Sequence, residues 1–403
     1  MNGCDECKKL TLSRRGFLRR SLGGAGALAI GNGLLNSVAA TYAQSMAGTG
    51  NLLVLCELSG GLDSLSMLAP YRNGTYISKR PDLALTADEV VPLGDNADYG
   101  INKQFQFLAD LYAQGQVAFV QQCAYPNANG SHFESQEIYR YGVRNLGSGT
   151  GTSASWYERL RKLYFNEPFG VLDSAEIGNP SNYGYPDNTY RRAAADAFAR
   201  LARAKSGSNP IQQGIIDTYA RIDQRGADLR ARTEGFQSTG PARGEFFRAA
   251  QYASADLGTQ IVKVRYDGFD THGSQREANA TLFPRVNNHF AQFVADMQTA
   301  GLWDRTCVAF YSEFGRRNEQ NGSPGTDHGY AGHMVLVGPG VNGGLHGQNV
   351  TTSDLSKDSL PYYVDFRAVF GQAINDWLGF DPKPIFEIEG ETFDTQVGSS
   401  LFR

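Results

Sequence analysis

Carboxylates, imidazoles, guanidiniums and one well-placed hydroxyl fall in short clusters along this chain, each at the end of an apolar run. The densest cluster follows the apolar, β-branched and aromatic run Cys307 to Tyr311, which stops at Ser312-Glu313-Phe314-Gly315-Arg316-Arg317. A polar loop leads to Gly325-Thr326-Asp327-His328-Gly329, and a second apolar run spans Met334 to Val337. Upstream, Asp270-Thr271-His272 lies between Gly268 and Gly273. In an extended segment residues two apart project to the same side, so Asp270 and His272 can reach one metal ion. Mixed carboxylate and imidazole ligands suit Zn, Mn, Mg or Ca. Arg316 or Arg317 can clamp an anion bidentately. Any one of these residues is ordinary in a surface loop; together with Asp63 and Ser131 they favour a site.

Two further positions carry a structural and a functional reading side by side. Asp63 ends Ser59-Gly60-Gly61-Leu62-Asp63, where it serves equally as a helix N-cap or as a group delivered to a strand end. Ser131-x-x-Glu134 is a capping-box signature, so a helix starts there. A hydroxyl at a helix N-terminus also lies beside free N–H groups and the positive dipole end, a good place for a nucleophile facing an anionic ester. The next residue, His132, is a candidate acid/base or an orienting group.

The elements that position these groups read as strands with helices between them. Leu52 to Leu58 suits a central strand buried on both faces, and Val117 to Cys123, Gln260 to Tyr266, Cys307 to Tyr311 and Met334 to Val337 supply others. Sites of open α/β sheets lie at the carboxyl ends of such strands. Helices are expected over Phe105–Ala113, from Ser131, over Ser153–Phe165, Tyr190–Lys205, Ile211–Arg232, Arg276–Ala300 and Val364–Leu378. Residues 71–100 read as an irregular excursion, 166–188 as a loop able to line a pocket, and 166–250 as a helical insertion. His289 reads as structural and His346 as a turn residue. No internal repeat is apparent.

The 403 residues are 41% apolar and 19% charged, ordinary for a globular protein, with net charge −4. Residues 1–43 hold six Lys/Arg against two Asp/Glu, leaving −8 on the remainder. This balance argues against nucleic acid as a partner. Ser13-Arg14-Arg15-Gly16-Phe17-Leu18-Arg19, the Gly/Ala/Leu-rich stretch to Ala40 and small residues at Ala39, Ala40 and Ala43 predict a twin-arginine signal peptide over 1–43. That implies the twin-arginine machinery as a partner, a periplasmic or secreted product and no stable transmembrane span after cleavage. Cys56, Cys123 and Cys307 sit in apolar runs, as buried thiols do.

The leader, Gly60-Gly61-x-Asp63, Ser131-His132-Phe133-Glu134, Gly268-Phe269-Asp270-Thr271-His272, Ser312-Glu313-Phe314-Gly315-Arg316 and Gly325-Thr326-Asp327-His328-Gly329 occur in this order. The set resembles the exported bacterial family known as domain of unknown function 1501, over nearly all of the mature chain. That family in turn looks like a distant branch of the alkaline phosphatase–sulfatase superfamily. The resemblance implies a three-layer α/β fold, with a central mostly parallel sheet, helices on both faces and a helical insertion, as one domain over 44–403. It implies one or two divalent ions held by Asp63, Asp270, His272, Glu313 and His328, with Asp327 helping. Ser131 becomes the nucleophile, with His132 and Arg316 as further catalytic groups. Two departures stand out: the middle pair is Asp-x-His where many relatives space it by three, and Glu313 precedes Phe314 where a ligand histidine is usual.

The implied activity is hydrolysis of phosphate, sulfate or related anionic esters, on a small molecule or polymer, by a serine nucleophile or a metal-bound water. A non-catalytic exported binding or envelope-assembly protein on a degenerate metallohydrolase fold is the alternative. A Ser-His-Asp hydrolase is weaker, because no G-x-S-x-G elbow is present.

Overall fold

Apolar strands that alternate their side chains between two faces need helices on both, and this chain supplies them. The computed structural model describes residues 50–144, 154–165, 170–173, 210–255, 257–388, 392–393 and 397–403. The leader at 1–43, most of the 166–188 loop and the 190–205 helix lie outside the described residues. The strands are β1 (Leu52–Ser59), β2 (Leu68–Ala69), β3 (Val90–Pro92), β4 (Gly100–Asn102), β5 (Val117–Ala124) and β6 (Val171–Asp173). They continue with β7 (Ile261–Asp267), β8 (Thr306–Tyr311), β9 (Gly332–Val337), β10 (Gly344–His346) and β11 (Val364–Asp365).

Among the described residues the main sheet has the order β10-β5-β9-β8-β1-β7-β6, with β11 also on β5. Its pairings are parallel except those of β9, which runs antiparallel to β5 and β8. One edge of the sheet therefore collects the carboxyl ends of β1, β5, β7 and β8 and the amino end of β9. The motifs singled out in the sequence all leave or enter the sheet at that edge.

β1 is buried along its whole length, as a central strand must be when both faces are covered. Val54, Cys56 and Leu58 pack with Phe283, Val286, Phe290 and Phe293 of the Gln275–Thr299 helix. Leu53 and Leu55 face the other core, with Ile138, Tyr139, Trp156, Leu160, Phe366 and Phe370. The expected three-layer, mostly parallel α/β arrangement is present. Cys56, Cys123 and Cys307 are buried thiols. No helix of the described residues is long and apolar enough to cross a membrane.

Two expectations need revision. The 71–100 excursion is not irregular throughout: it holds a Gly74–Lys79 helix and two strands of a small antiparallel sheet, β2-β4-β3. The span 166–250 is not all insertion. Its start contributes β6 to the edge of the main sheet, and its end forms the Gly244–Ala253 helix, whose Phe246, Ala249, Ala250 and Tyr252 are buried in the main core. The Pro210–Thr233 helix matches the expectation of a helix there.

Phe246 packs its ring at a tilt against Tyr266, Phe290, Phe293 and Phe310, joining its helix to β7, β8 and the long helix. Phe246→Ala should therefore destabilise the protein by about 3–5 kcal/mol, read as a lower urea midpoint. A change below about 1 kcal/mol would place this helix outside the core.

Candidate metal centre

The strand-end loops converge on one buried guanidinium. Arg316 follows β8 and is 2% exposed. Its Nε donates to Gly61 O at 2.6 Å and its Nη1 to Thr326 O at 2.7 Å. Its Nη2 donates to Gly60 O, to Phe269 O at 3.2 Å and to Asp270 Oδ1 at 2.6 Å. The loops after β1, β7 and β8 and the loop before β9 are thereby tied to one planar fork. The approach is so close that Gly60, at φ 122°, has no room for a side chain: a Cβ there would lie 2.3 Å from Asp270 N.

Three histidines and Asp270 meet beside that fork. His132 opens the His132–Tyr141 helix after β5, His272 follows β7, and His328 precedes β9. Each has its Nδ1 engaged. His132 Nδ1 lies 2.8 Å from Glu313 Oε1, His272 Nδ1 3.3 Å from Asp327 Oδ1, and His328 Nδ1 2.7 Å from Gly130 O. Carboxylates and carbonyls only accept, so each Nδ1 carries a hydrogen and each Nε2 of a neutral ring presents its lone pair.

Those lone pairs face one another. His272 Nε2 and His328 Nε2 are 2.8 Å apart, at 3.0 and 3.1 Å from Asp270 Oδ1. His132 Nε2 is 3.4 Å from the same oxygen, is buried, and makes no hydrogen bond. The ligating atoms of His132, Asp270 and His328 all lie within 4.8 Å of one another. Donors held about 2.0–2.1 Å from a tetrahedral ion are roughly 3.3–3.4 Å apart, so a small outward shift seats a cation among them. The residues present thus fit a divalent metal.

The carboxylates are tuned to stay ionised. Partial burial works against the charge of Asp270, but the bond from Arg316 and the Arg316 charge hold it well below its ordinary value. Burial likewise opposes ionisation of Glu313, which His132, Gln136 and Ser312 overcome, keeping it below its ordinary value. Asn321 and then His272 do the same for Asp327. Glu313 also accepts Gly60 N at 2.9 Å and Gln136 Nε2 at 3.0 Å. The Phe314 ring packs against His132 and His328, centroids 4.7 and 4.8 Å away.

Several predicted roles change in this geometry. Asp63 does not join the cluster. It is 3% exposed and accepts Arg80 Nη1 at 2.5 Å, Arg80 Nη2 at 3.1 Å, Ser66 Oγ at 2.6 Å and Gln275 Nε2 at 2.6 Å. Nor does it cap the Ser64–Met67 helix with its side chain. Arg316 is not free to clamp an anion, because its donors are spent on backbone and Asp270; Arg317 beside it is exposed. His132, expected as acid/base, stands among the candidate ligands. Glu313 and Asp327, expected as ligands, sit on the far nitrogens of His132 and His272 and orient them. Asp270, His272 and His328 come together as expected. Ser131 caps its helix, its Oγ accepting Glu134 N at a long 3.4 Å, while the Glu134 carboxylate turns to Asn129. His289 bonds Tyr266 and His346 bonds Ser399 and Asn342, away from the cluster.

Sequence reasoning missed Arg80 and Gln275. Arg80 lies in the 71–100 excursion, and no local pattern marks it. It is fully buried, donating Nε to Asn318 O and Nη2 to Arg317 O, both at 2.8 Å. Gln275 relays between Asp63 and the hydroxyls of Thr326 and Thr271, at 2.6 and 3.1 Å. Burial by itself would raise the Asp63 pKa; the Arg80 charge and the bonds from Arg80, Ser66 and Gln275 lower it instead.

A carboxyl depressed on folding stabilises the fold above its unfolded value, about 3.9, and loses that contribution as pH falls toward the lower folded value. Asp63→Asn, which leaves Arg80 buried and unpaired, should cost about 3–5 kcal/mol at neutral pH. The variant should also lose less stability than wild type between about pH 5 and pH 2, as chemical denaturation across that range will show. An equal loss in both would remove Asp63 from the acid response.

No curated protein matches this chain. Among solved structures it is similar to Ps i-CgsB in complex with k-i-k-neocarrahexaose, at 11% identity and TM-score 0.41, over 84% of this chain and 74% of that one. It is also similar to the phosphonate monoester hydrolase SpPMH from Silicibacter pomeroyi, at 11% identity and TM-score 0.36, over 86% and 78%. For the alkaline phosphatase from the Antarctic bacterium TAB5 the values are 12% and 0.29, over 73% and 94%. Residues 230–391, which carry Asp270, His272, Glu313, Arg316, Asp327 and His328, match the family described as Protein of unknown function (DUF1501), the family that the motifs resemble.

Proposed function

We propose that this protein is an exported, metal-dependent hydrolase of phosphate or sulfate esters or related anionic esters. The observation that carries the reading is the convergence of three Nε2 lone pairs on Asp270, each ring fixed from behind by Glu313, Asp327 or Gly130 O. Neutral imidazoles in that arrangement repel unless a cation lies between them. His132, Asp270 and His328 would hold the ion, with His272 closing its open side. When bound, a divalent metal supplies Lewis-acid polarisation of an ester oxygen and lowers the pKa of a hydroxyl or water beside it.

The chain's own groups supply the rest. Ser131, one position before His132, places its Oγ at the positive end of the His132–Tyr141 helix, next to the exposed Phe133. Its single capping bond is long, which leaves the hydroxyl available as nucleophile toward phosphorus or sulfur. As the bond to Ser131 Oγ forms, the ester bond to the alcohol breaks and the serine proton passes through water to the departing alkoxide; water then cleaves the serine ester and returns the proton to Oγ, or attacks in the serine's place. Asp270 and His272 are about half exposed, so substrate enters on their side. Arg317, exposed and near enough to help lower the Asp327 pKa, is the cation placed to meet the anion. Export through the twin-arginine pathway to the periplasm or beyond is part of the same proposal, supported by Ser13 to Arg19.

4-Nitrophenyl phosphate and 4-nitrophenyl sulfate test the chemistry. Metal-loaded protein should hydrolyse at least one of them, and removal of metal by a chelator should abolish turnover reversibly. Ser131→Ala should lower kcat/KM by about 10³-fold or more, with folding and metal content unchanged. A loss under about threefold would assign the attack to water. No hydrolysis of any phosphate or sulfate ester by folded, metal-loaded protein would favour the non-catalytic exported binding role.

A further inference from the structure

A fully buried guanidinium, Arg80, sits on the one expected carboxylate ligand that the fold leaves outside the histidine cluster, Asp63. We infer that this site takes a single divalent ion, at the histidines, and that Arg80 serves as the fixed second cation at Asp63. The inference rests on the metal-centre reading proposed above and narrows it.

The Asp63 carboxylate is already engaged by four donors. Both of its oxygens are bound by Arg80, and Oδ2 also accepts the Ser66 hydroxyl and the Gln275 amide. Arg80 cannot swing aside to admit an ion. It is fully buried and pinned to the carbonyls of Asn318 and Arg317, which continue the loop that carries Arg316. Gln275 is held in turn by Thr326 and Thr271, so the Asp63 carboxylate sits in a closed hydrogen-bonded shell. A divalent ion at Asp63 would have to displace a buried guanidinium and leave that charge unpaired.

Charge balance points the same way. Asp63, Asp270, Glu313 and Asp327 face Arg80 and Arg316, and ligating imidazoles are neutral. With the exposed Arg317 beside Asp327 counted as well, one divalent ion already takes the site one charge past neutrality. A second would add to that surplus in a partly buried site.

The test is metal content, read independently of activity. The full chain, as produced without its leader cleaved or with it, is incubated with excess Zn²⁺ or Mn²⁺, desalted and analysed for metal. One ion per chain is expected, and none in His132→Ala/His328→Ala. Two ions per chain would overturn the inference while leaving the metal-centre reading intact; none would overturn both. Anomalous diffraction from loaded crystals of the wild type locates the ion without any variant. A single peak among His132, Asp270 and His328, with the Asp63–Arg80 pair intact, is the expected result. A peak at Asp63 would overturn the inference. Asp63→Asn, where it folds, should keep one ion per chain, and loss of that ion from folded protein would overturn it too.

Discussion

The site depends on one constraint: a guanidinium buried among backbone carbonyls cannot release them without stranding its charge. Arg316 bonds the carbonyls of Gly60, Gly61, Phe269 and Thr326, drawn from loops that follow different strands. Its remaining reach goes to Asp270. Breaking one such bond leaves part of a buried cation unsatisfied, a larger penalty than the bond's net worth on forming. The loops are thus mutually determined, and Gly60 and Gly61 are the residues that let them approach. Residues 314–331 add to this by pairing with themselves, Gly315 with Tyr330 and Gly329, and Arg317 with Asp327. Asp270 and His328 are placed by the same bonds that build the loops.

Around this hub the polar groups fall into two sets. Glu313, Asp327 and the Gly130 carbonyl stand behind the histidines and fix their tautomers. Asp63, Arg80, Gln275, Ser66 and the threonines at 271 and 326 form a closed network that holds the first loop. The first set leaves nitrogen lone pairs facing one another; the second spends its carboxylate on a guanidinium, a hydroxyl and an amide. That contrast separates a place where a ligand can bind from a place where the fold is held. It also explains why Asp63, two residues beyond a glycine turn, holds the first loop and does not join the histidines.

Much of the fold was legible because its strands are apolar runs bounded by turn residues, and because the loops with chemistry begin where those runs stop. β1, β5, β7, β8 and β9 all lie close to their expected positions. Asp270 and His272 were legible from their spacing together with their place at a strand end between Gly268 and Gly273, and His328 from its place before an apolar run. Other roles depended on contacts that no local pattern encodes. The Asp63–Arg80 pair joins residues 17 apart across two short helices and a short strand. His132 meets Glu313 over a separation of 181 residues, which only the order of strands in the sheet determines. Arg316 looked like an anion clamp because sequence does not report burial, and the Gly244–Ala253 helix looked like insertion because its apolar face is short. The long Gln275–Thr299 helix, by contrast, declared its core stripe plainly.

The central claim is that imidazole nitrogens, more than carboxylates, hold a cation at this edge of the sheet. X-ray absorption spectroscopy at the metal edge of Zn²⁺- or Mn²⁺-loaded protein measures it most directly. The account predicts a nitrogen-rich first coordination sphere with the outer-shell scattering of at least two imidazole rings, and its loss when His132 and His328 are both replaced by alanine. An all-oxygen sphere without imidazole scattering would place the ion on carboxylates elsewhere and contradict the account.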